Sequence, residues 1–372
     1  MTKSNWKQVK LGEVCNDVSY GYTASASKNK IGPKFLRITD IQGGIVNWDT
    51  VPFCEISNDK IEQYQLTKND IVIARTGAST GENYLFNQEE KSVFASYLIR
   101  FRIDTDKALP LFVWYQLRSP SWWNFINGYK SGSARDGANA KVLSEYPVSL
   151  PPLPVQRQIA AVLSCLDDKI ELNNRVNSNL ETQAQTIFKN WFIESANNCK
   201  SGILGDILDL MYGKGLNTEL RTGTGYPVVS SSGITGYHNE YYVEGPGIVI
   251  GRKGTLGNVY YLFDNFFPID TTYYIQTKIQ STGLFYEYYL LQTLNFRSMN
   301  TDSAVPGLNR KNALSVEIKL PDIQLVEQFN KFCSIIFKQI KNNTDQSHTL
   351  SLLRDSLLPK LIGGEIKTQQ GE

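Results

Sequence analysis

"LPPLPVQRQIAAVLSCLDDKIELN", residues 150–173, and "LPDIQLVEQFNKFCSIIFKQIKNN", residues 320–343, carry one pattern at an offset of 170 positions. The offset pairs Pro151 with Pro321, Gln158 with Gln328, Ile159 with Phe329, Leu166 with Ile336, Ile170 with Ile340 and Asn173 with Asn343. Internal repeats decide architecture before any single motif does. In the first copy Ile159, Leu163, Leu166, Ile170, Leu180, Ala184, Ile187 and Trp191 recur at alternating steps of four and three, interrupted by Asn173 and Asn177. In the second, Phe329, Cys333, Ile336, Ile340, Leu350, Leu357 and Leu361 do so, with Asn343 and Ser347 at the interruption and Arg354 where Ala184 stood. An apolar period of about 3.5 residues marks a helix that packs along a seam. An apolar stripe on one helix is commonly just core, but a seam repeated in register, polar break included, predicts two long helices that pair. Pro154 suits the first turn of one, Asp322 the N-cap of the other, and Gly363-Gly364 its end.

The chain itself gives the direction of the pair. Parallel helices would force the intervening domain to span roughly 58 Å, the length of about 39 residues at 1.5 Å each, whereas compact domains keep their ends close. An antiparallel pair is expected, with Asn173 near Ser347 and Asn177 near Asn343 as polar contacts that fix helix–helix register.

The segments between repeat too. "LGEV" at Leu11 answers "LGDI" at Leu204, "DIVIARTGASTGENYLF" from Asp70 answers "GIVIGRKGTLGNVYYLF" from Gly247, and "LFVWYQL" at Leu111 answers "LFYEYYL" at Leu284. "SGSARDGANAKVL" from Ser131 answers "TDSAVPGLNRKNAL" from Thr301. The β-branched runs read as strands, the "LF" segments as short helices and the Gly/Ser-rich stretches as loops. The fold class is α+β: two globular domains, 1–150 and 197–320, separated by two long antiparallel coiled-coil helices, 151–196 and 321–372 with its tail, in an internal pseudo-twofold repeat.

Composition bounds the chemistry. With 41% hydrophobic and 12% aromatic residues, the 372-residue chain can core two or more domains. No window approaches the roughly eighteen uncharged apolar residues of a membrane span, and "MTKSNWKQVKLGEV" lacks the apolar core of a signal peptide, so a cytoplasmic protein with no membrane partner is expected. Cys15, Cys54, Cys165, Cys199 and Cys333 are scattered without a CxxC pair, and only His238 and His348 accompany them. That spacing excludes a zinc cluster and suits a reducing compartment. There is no GxxxxGK[ST] loop, no glycine-rich cofactor loop after a strand and no N/D-P-P-Y/F tetrad, so no catalytic residue and no metal ligand is nominated. A nuclease pattern built from Pro321-Asp322 and Glu365-Ile366-Lys367 is set aside, since one element opens a helix and the other lies in the tail.

The residues "SLPPLPVQRQIAAVLSCLDDKIELNNR", 149–175, their second copy from Leu320 and the "ARTGASTG" and "GRKGTLG" loops resemble the specificity subunit of type I restriction–modification systems over essentially the whole chain. The second copy departs from that family in reading "PDIQLVEQ" where a proline and a glutamine–arginine pair are more usual. The resemblance implies that each domain is a target recognition domain reading half of a bipartite site in double-stranded DNA. The helices then set the unspecified spacer, about one to two helical turns. It further implies two docked methyltransferase (modification) subunits, bound through the helices, and motor-nuclease (restriction) subunits in the full complex. S-adenosylmethionine, ATP and Mg belong to those partners, and no cofactor to this chain. A related system with modification and cleavage fused in one partner, and an architectural coiled-coil protein binding other proteins, are the competing readings.

Base edges are read mainly by Arg, Lys, Asn and Gln, while Ser, Thr, Tyr and backbone amides hold phosphates. By their place in polar Gly/Ser-rich loops, the DNA-binding candidates of the first domain are Tyr22, Ser25, Lys28, Arg37, Arg75, Thr76, Ser79, Lys130, Ser133 and Arg135. Those of the second are Lys214, Ser230, Ser231, Ser232, Tyr237, His238, Arg252, Lys253 and Asn258. For each, a solvated or structurally capped loop residue is the competing account. Arg75 and Arg252 rank higher, because the repeat puts an arginine at the same strand-to-loop position twice, although either could instead brace the loop. The glycine turns at Tyr20 and Tyr212 read as DNA-backbone or turn elements. The aromatic clusters "SWWNF" at Ser121 and "FYEYYLL" at Phe285 read as packing rather than base-stacking platforms, and Trp191-Phe192 as a contact with a neighbour. Residues 1–150 hold 18 Lys plus Arg against 15 Asp plus Glu, an excess of +3, and residues 197–319 hold 10 against 10. With so little basic excess, weak DNA binding by the chain alone is expected.

Overall fold

A computed structural model of the chain describes residues 6–132, 137–195, 200–299 and 307–366. The first long helix runs Leu153–Phe188 and passes into a wider turn, Lys189–Glu194; the second runs Ile323–Ile362. Their ends follow side-chain chemistry. Asp322 Oδ1 accepts from the Gln324 amide at 2.8 Å, and Gly364 turns the chain away at φ +69°. Along the seam Ile159, Leu163, Asn173, Ala184, Phe329, Cys333, Ile336, Ile340, Asn343 and Leu361 are buried while their flanking positions are largely exposed. The helices run antiparallel: Asn173 meets Asn343, Gln346 and Ser347, and Asn177, one turn on, meets Ile340, Asn343 and Thr344.

The chain forms two compact units, residues 1–170 with 348–372, and residues 171–347. Each long helix thus gives one stretch to each unit. In the first unit an antiparallel sheet has the strand order Cys15–Tyr20, Leu98–Ile103, Ile71–Ala74, Asn83–Leu85. In the second the order Leu208–Tyr212, Thr272–Thr277, Gly247–Gly251, Val259–Leu262 repeats it strand for strand. A short strand pair, Lys7–Lys10 with Pro147–Leu150, ties the start of the first domain to its end, and Ser201–Ile203 with Glu317–Lys319 does so in the second. That closure lets each domain begin and end beside the helices, which favours the antiparallel pairing.

Each core is a sandwich of sheet, short helix and long-helix stretches. Ile71, Ile73, Ile99 and Phe101 pack with Phe112 and Trp122 against Ile159, Leu163, Leu358 and Leu361. Ile248, Ile250, Tyr273 and Ile275 pack with Phe285 and Tyr286 against Ala184, Phe188, Phe329 and Cys333. The two aromatic clusters serve this packing: Trp122 is fully buried, with its ring 5.0 Å from that of Tyr146. Phe192 corrects the expectation of a contact with a neighbour. It is buried in the core of its own unit, with its ring 4.8 Å from Tyr286 and 5.5 Å from Phe329. Among the described residues no helix is long and apolar enough to cross a membrane.

Candidate nucleic-acid interface

Each sheet ends in a loop cluster of its own, built to one design. In the first domain the strand Ile71–Ala74 delivers Arg75, whose Nε–H donates to Ser96 O at 3.0 Å while its guanidinium lies 5.4 Å from the Tyr20 ring and 5.6 Å from that of Tyr97. In the second, the strand Gly247–Gly251 delivers Arg252, whose Nη1–H donates to Asp270 O at 2.9 Å, with the Tyr212 ring at 4.9 Å and the Tyr273 ring at 5.6 Å. Ser96 and Asp270 hold the same place, two residues before the return strand of each sheet.

The backbone carbonyls of these arginines anchor a second segment. Arg75 O accepts from the Ala138 amide at 2.8 Å and Arg252 O from the Leu308 amide at 2.9 Å. The next residue in each case is an asparagine that caps a short helix. Asn139 Oδ1 accepts from the Val142 amide at 3.0 Å, and Asn309 Oδ1 from the Lys311 amide at 2.9 Å. The Tyr–Gly turns close the cluster. A Cβ on Gly21 would sit 2.2 Å from Ala95 O, and one on Gly213 2.1 Å from Ile269 O, so only glycine allows the chain this near.

Other candidates fall into three groups. Ser25, Lys28, Lys214, Ser232, Tyr237 and Lys253 are exposed, and Thr76, Ser79 and Asn258 half-buried. The Lys214 ammonium stands 5.7 Å from the Tyr242 ring, and Asn258 bridges Tyr260 and Arg297 at 3.0 and 2.8 Å. A second group is committed to the fold. Arg37 forms a forked pair with Asp40 at 3.0 and 2.7 Å, which raises the guanidinium pKa, and Tyr22 packs on Tyr64 with ring centres 5.1 Å apart. His238 is half-buried with its ring edge on Phe267. Ser230 and Ser231 depart from the sequence expectation, being 8% and 7% exposed. Ser230 Oγ bonds within its own hairpin turn, to Ser232 and Gly233, and Ser231 packs against Gly251. Third, Ser133 and Arg135 lie outside the described residues, as does the side chain of Lys130, whose backbone belongs to the helix Pro120–Gly132.

Three exposed rings join the cluster, Tyr20, Tyr97 and Tyr212, at 44%, 53% and 52% exposure; the first and last stand at the glycine turns that the sequence marks as DNA-backbone or turn elements, and Tyr97 does not. The repeated Tyr–Gly dipeptide carried a signal for two of them. Tyr97 had none, because Thr271 stands at its place in the second domain.

Fold and site together define a protein built from two copies of one module, each presenting an arginine and a Tyr–Gly turn at one end of its sheet. Residues 3–182 and 198–352 match the family model of the type I restriction modification DNA specificity domain, and the chain belongs to that family. Its curated relatives include the HindI specificity subunit of Haemophilus influenzae, 27% identical over 201 residues, which are 51% of this chain and 41% of that one. The MjaIX specificity subunit of Methanocaldococcus jannaschii is 22% identical over 72% of both chains. The chain therefore aligns with less than half the length of the first relative. The crystal structure of a type I restriction–modification S subunit from M. genitalium shares the fold, with a TM-score of 0.59 at 19% identity over 99% of this chain and 97% of that one.

Proposed function

We propose that this chain is the non-catalytic DNA-reading subunit of a type I restriction–modification complex. Each domain reads one half of a bipartite site, and the paired helices set the spacer between the halves. One observation carries the reading: two copies of the same arginine–tyrosine loop cluster stand on one antiparallel helix pair. A duplicated module reads two half-sites as naturally as a twofold dimer does. Helices of 36 and 40 residues, roughly 54 and 60 Å long at 1.5 Å per residue, are of a size to separate half-sites by one to two turns of duplex.

The contacts proposed for DNA are Arg75, Thr76, Ser79, Ser25 and Lys28 of the first domain and Arg252, Lys253, Lys214, Ser232, Tyr237 and Asn258 of the second, joined by Tyr20, Tyr97 and Tyr212. Two methyltransferase subunits dock on the helices and motor-nuclease subunits complete the assembly. S-adenosylmethionine, ATP and Mg act in those partners, in the cytoplasm.

Methylation mapping tests this. The chain is expressed with its methyltransferase subunit and the host DNA is sequenced for modified adenines. One bipartite motif with a fixed gap is expected, with one half altered by exchanging residues 1–150 and the gap altered by lengthening both helices. Methylation of the same sites without this chain would sink the reading and favour an architectural role.

A further inference from the structure

Resting on the DNA-reading function above, we infer that Arg75 and Arg252 each read a guanine, so that both half-sites contain a G·C pair recognised by the same device. The other arginines of the first domain set these two apart. Arg37, Arg100 and Arg102 pair with Asp40, Asp17 and Asp70 at 2.7 to 2.9 Å, and Arg118 pairs with Asp167 at 3.3 Å. Among the described residues of that domain, Arg75 alone is an arginine without a carboxylate partner. Arg252 likewise has none; in its domain Arg310 pairs with Asp209, while Arg221 and Arg297, also without a carboxylate, are bonded to Thr235 and Leu216 and to Asn258, so that Arg252 is set apart by its place after the sheet strand.

Both guanidiniums are half-buried, held by one backbone carbonyl and lying near two tyrosine rings. An arginine fixed in this way keeps its charge and presents its planar fork with little further entropy to lose. With Nε of Arg75 bonded to Ser96 O, its terminal Nη1/Nη2 edge remains for a ligand; with Nη1 of Arg252 bonded to Asp270 O, the Nε/Nη2 edge remains. Either edge offers two parallel N–H groups, the complement of guanine O6 and N7 in the major groove. Adenine and thymine present a donor or a methyl group beside the acceptor there, and cytosine a donor. The near-neutral domains supply no basic field in which a single arginine would serve chiefly as a phosphate anchor, with excess charges of +3 and zero for residues 1–150 and 197–319.

The test uses the assembled methyltransferase complex. Arg75→Gln is expected to relax one G·C position in one half-site and Arg252→Gln one in the other half-site, each by roughly 10- to 100-fold in discrimination. Replacing that guanine by 7-deazaguanine is expected to weaken binding of the parent complex by a comparable factor. This arm uses the unaltered protein, so it does not depend on how the variants fold. A half-site with no G·C pair, no response to 7-deazaguanine at any position, or variants that weaken every position equally would overturn the guanine assignment in favour of a phosphate contact or a loop brace, while leaving the DNA-reading function standing. Loss of any dependence of methylation on this chain would instead remove the function itself.

Discussion

Arg354 Nη1 donates to Asp167 Oδ1 at 2.6 Å across the two long helices of the first unit. At the 170-residue offset of the repeat the corresponding residues are Ala184 and Phe337, and both lie in the apolar core of the second unit. Asp167 also accepts from the Tyr115 hydroxyl at 2.9 Å and from Arg118 at 3.3 Å, and the tyrosine's own burial, followed by the Asp167 charge, pushes the Tyr115 pKa up. One carboxylate thus satisfies three groups, with the two arginine side chains only 17% exposed. Removing the carboxylate takes the charged acceptor from Arg118 and the hydroxyl acceptor from Tyr115, while Arg354 keeps Asp355 at 2.8 Å. Asp167→Ala is expected to cost about 3–5 kcal/mol in chemical denaturation. The triple replacement Asp167→Phe, Arg118→Leu, Arg354→Ala, which imports the residues of the second unit, is expected to return to within about 2 kcal/mol of the parent. Equal losses in the two variants would show that volume, not charge, governs the site.

The polar break in the seam predicts a trade of stability against uniqueness. Asn173 Nδ2 donates to Gln346 at 2.9 Å and to Ser347 at 3.2 Å, and Asn343 Nδ2 donates to Asn177 Oδ1 at 2.8 Å. Replacing Asn177 and Asn343, which bond each other, together by Leu removes matched polar groups from both sides, so the melting temperature should rise. The register that these bonds fix should loosen, giving mixed oligomers in light scattering. A single Asn173→Ala change leaves its partners unmatched and should lower stability by about 1–2 kcal/mol. A variant that is both more stable and strictly monodisperse would refute the register role.

How much of this was legible in the sequence depended on range. The seam was readable because apolar period and polar break both recur at a fixed offset, and the strands because their β-branched runs repeat. The Asp167–Arg354 pair was not, since Asp167 stands beside Asp168 like a solvated helix position and Arg354 looks like a flaw in the stripe. Only the antiparallel register brings them together. Arg37 was nominated as a reader because a loop arginine shows its charge in sequence, whereas its capture by Asp40 depends on a one-turn helix, Ile38–Asp40. Ser230 and Ser231 look exposed in a Ser/Gly stretch, yet a hairpin folds them inward against Gly251 and Thr271. The arginine clusters were half legible: the repeat gave the position, but the carbonyl and ring contacts come from strands far apart in sequence.

Glu287 gives a pH prediction. It is 1% exposed, accepts one hydrogen bond from Thr277, and its Oε2 has no partner among the described residues. Burial pushes its pKa up, only partly opposed by the Thr277 bond. A carboxyl whose folded pKa is raised lends its stability in full below the ordinary glutamate range, and that stability is lost as pH rises through the folded value. Glu287→Gln should therefore be more stable than the parent at about pH 8, with the advantage fading toward about pH 4. A pH-independent difference in urea midpoints would exclude ionisation as its source.

Gly21 and Gly213 tie fold to site. With a Cβ meeting a carbonyl oxygen at 2.2 and 2.1 Å, alanine at either forces the Tyr–Gly turn away from the return strand. Overpacking of this kind costs about 1–3 kcal/mol. Because Tyr20 and Tyr212 each lie beside the arginine of their own cluster, Gly21→Ala should impair methylation through one half-site and Gly213→Ala through the other. Identical effects of the two variants on both half-sites would show a general loss of folding instead.

The charge balance makes the last prediction. Residues 1–150 carry a formal excess of +3 and residues 197–319 none, and Arg37, Arg100, Arg102 and Arg310 are already neutralised by Asp40, Asp17, Asp70 and Asp209. With so small a net excess and these arginines paired, the chain alone is expected to neutralise few phosphates, and the salt dependence of DNA binding counts those contacts directly. The isolated chain should bind its specific duplex no tighter than about 1 μM in physiological salt, with a shallow slope of log affinity against log salt. Adding the methyltransferase subunits should steepen the slope and tighten binding together, because phosphate contacts would enter with the partner. Nanomolar binding by the chain alone would mean that base contacts carry the affinity without phosphate contacts from a partner.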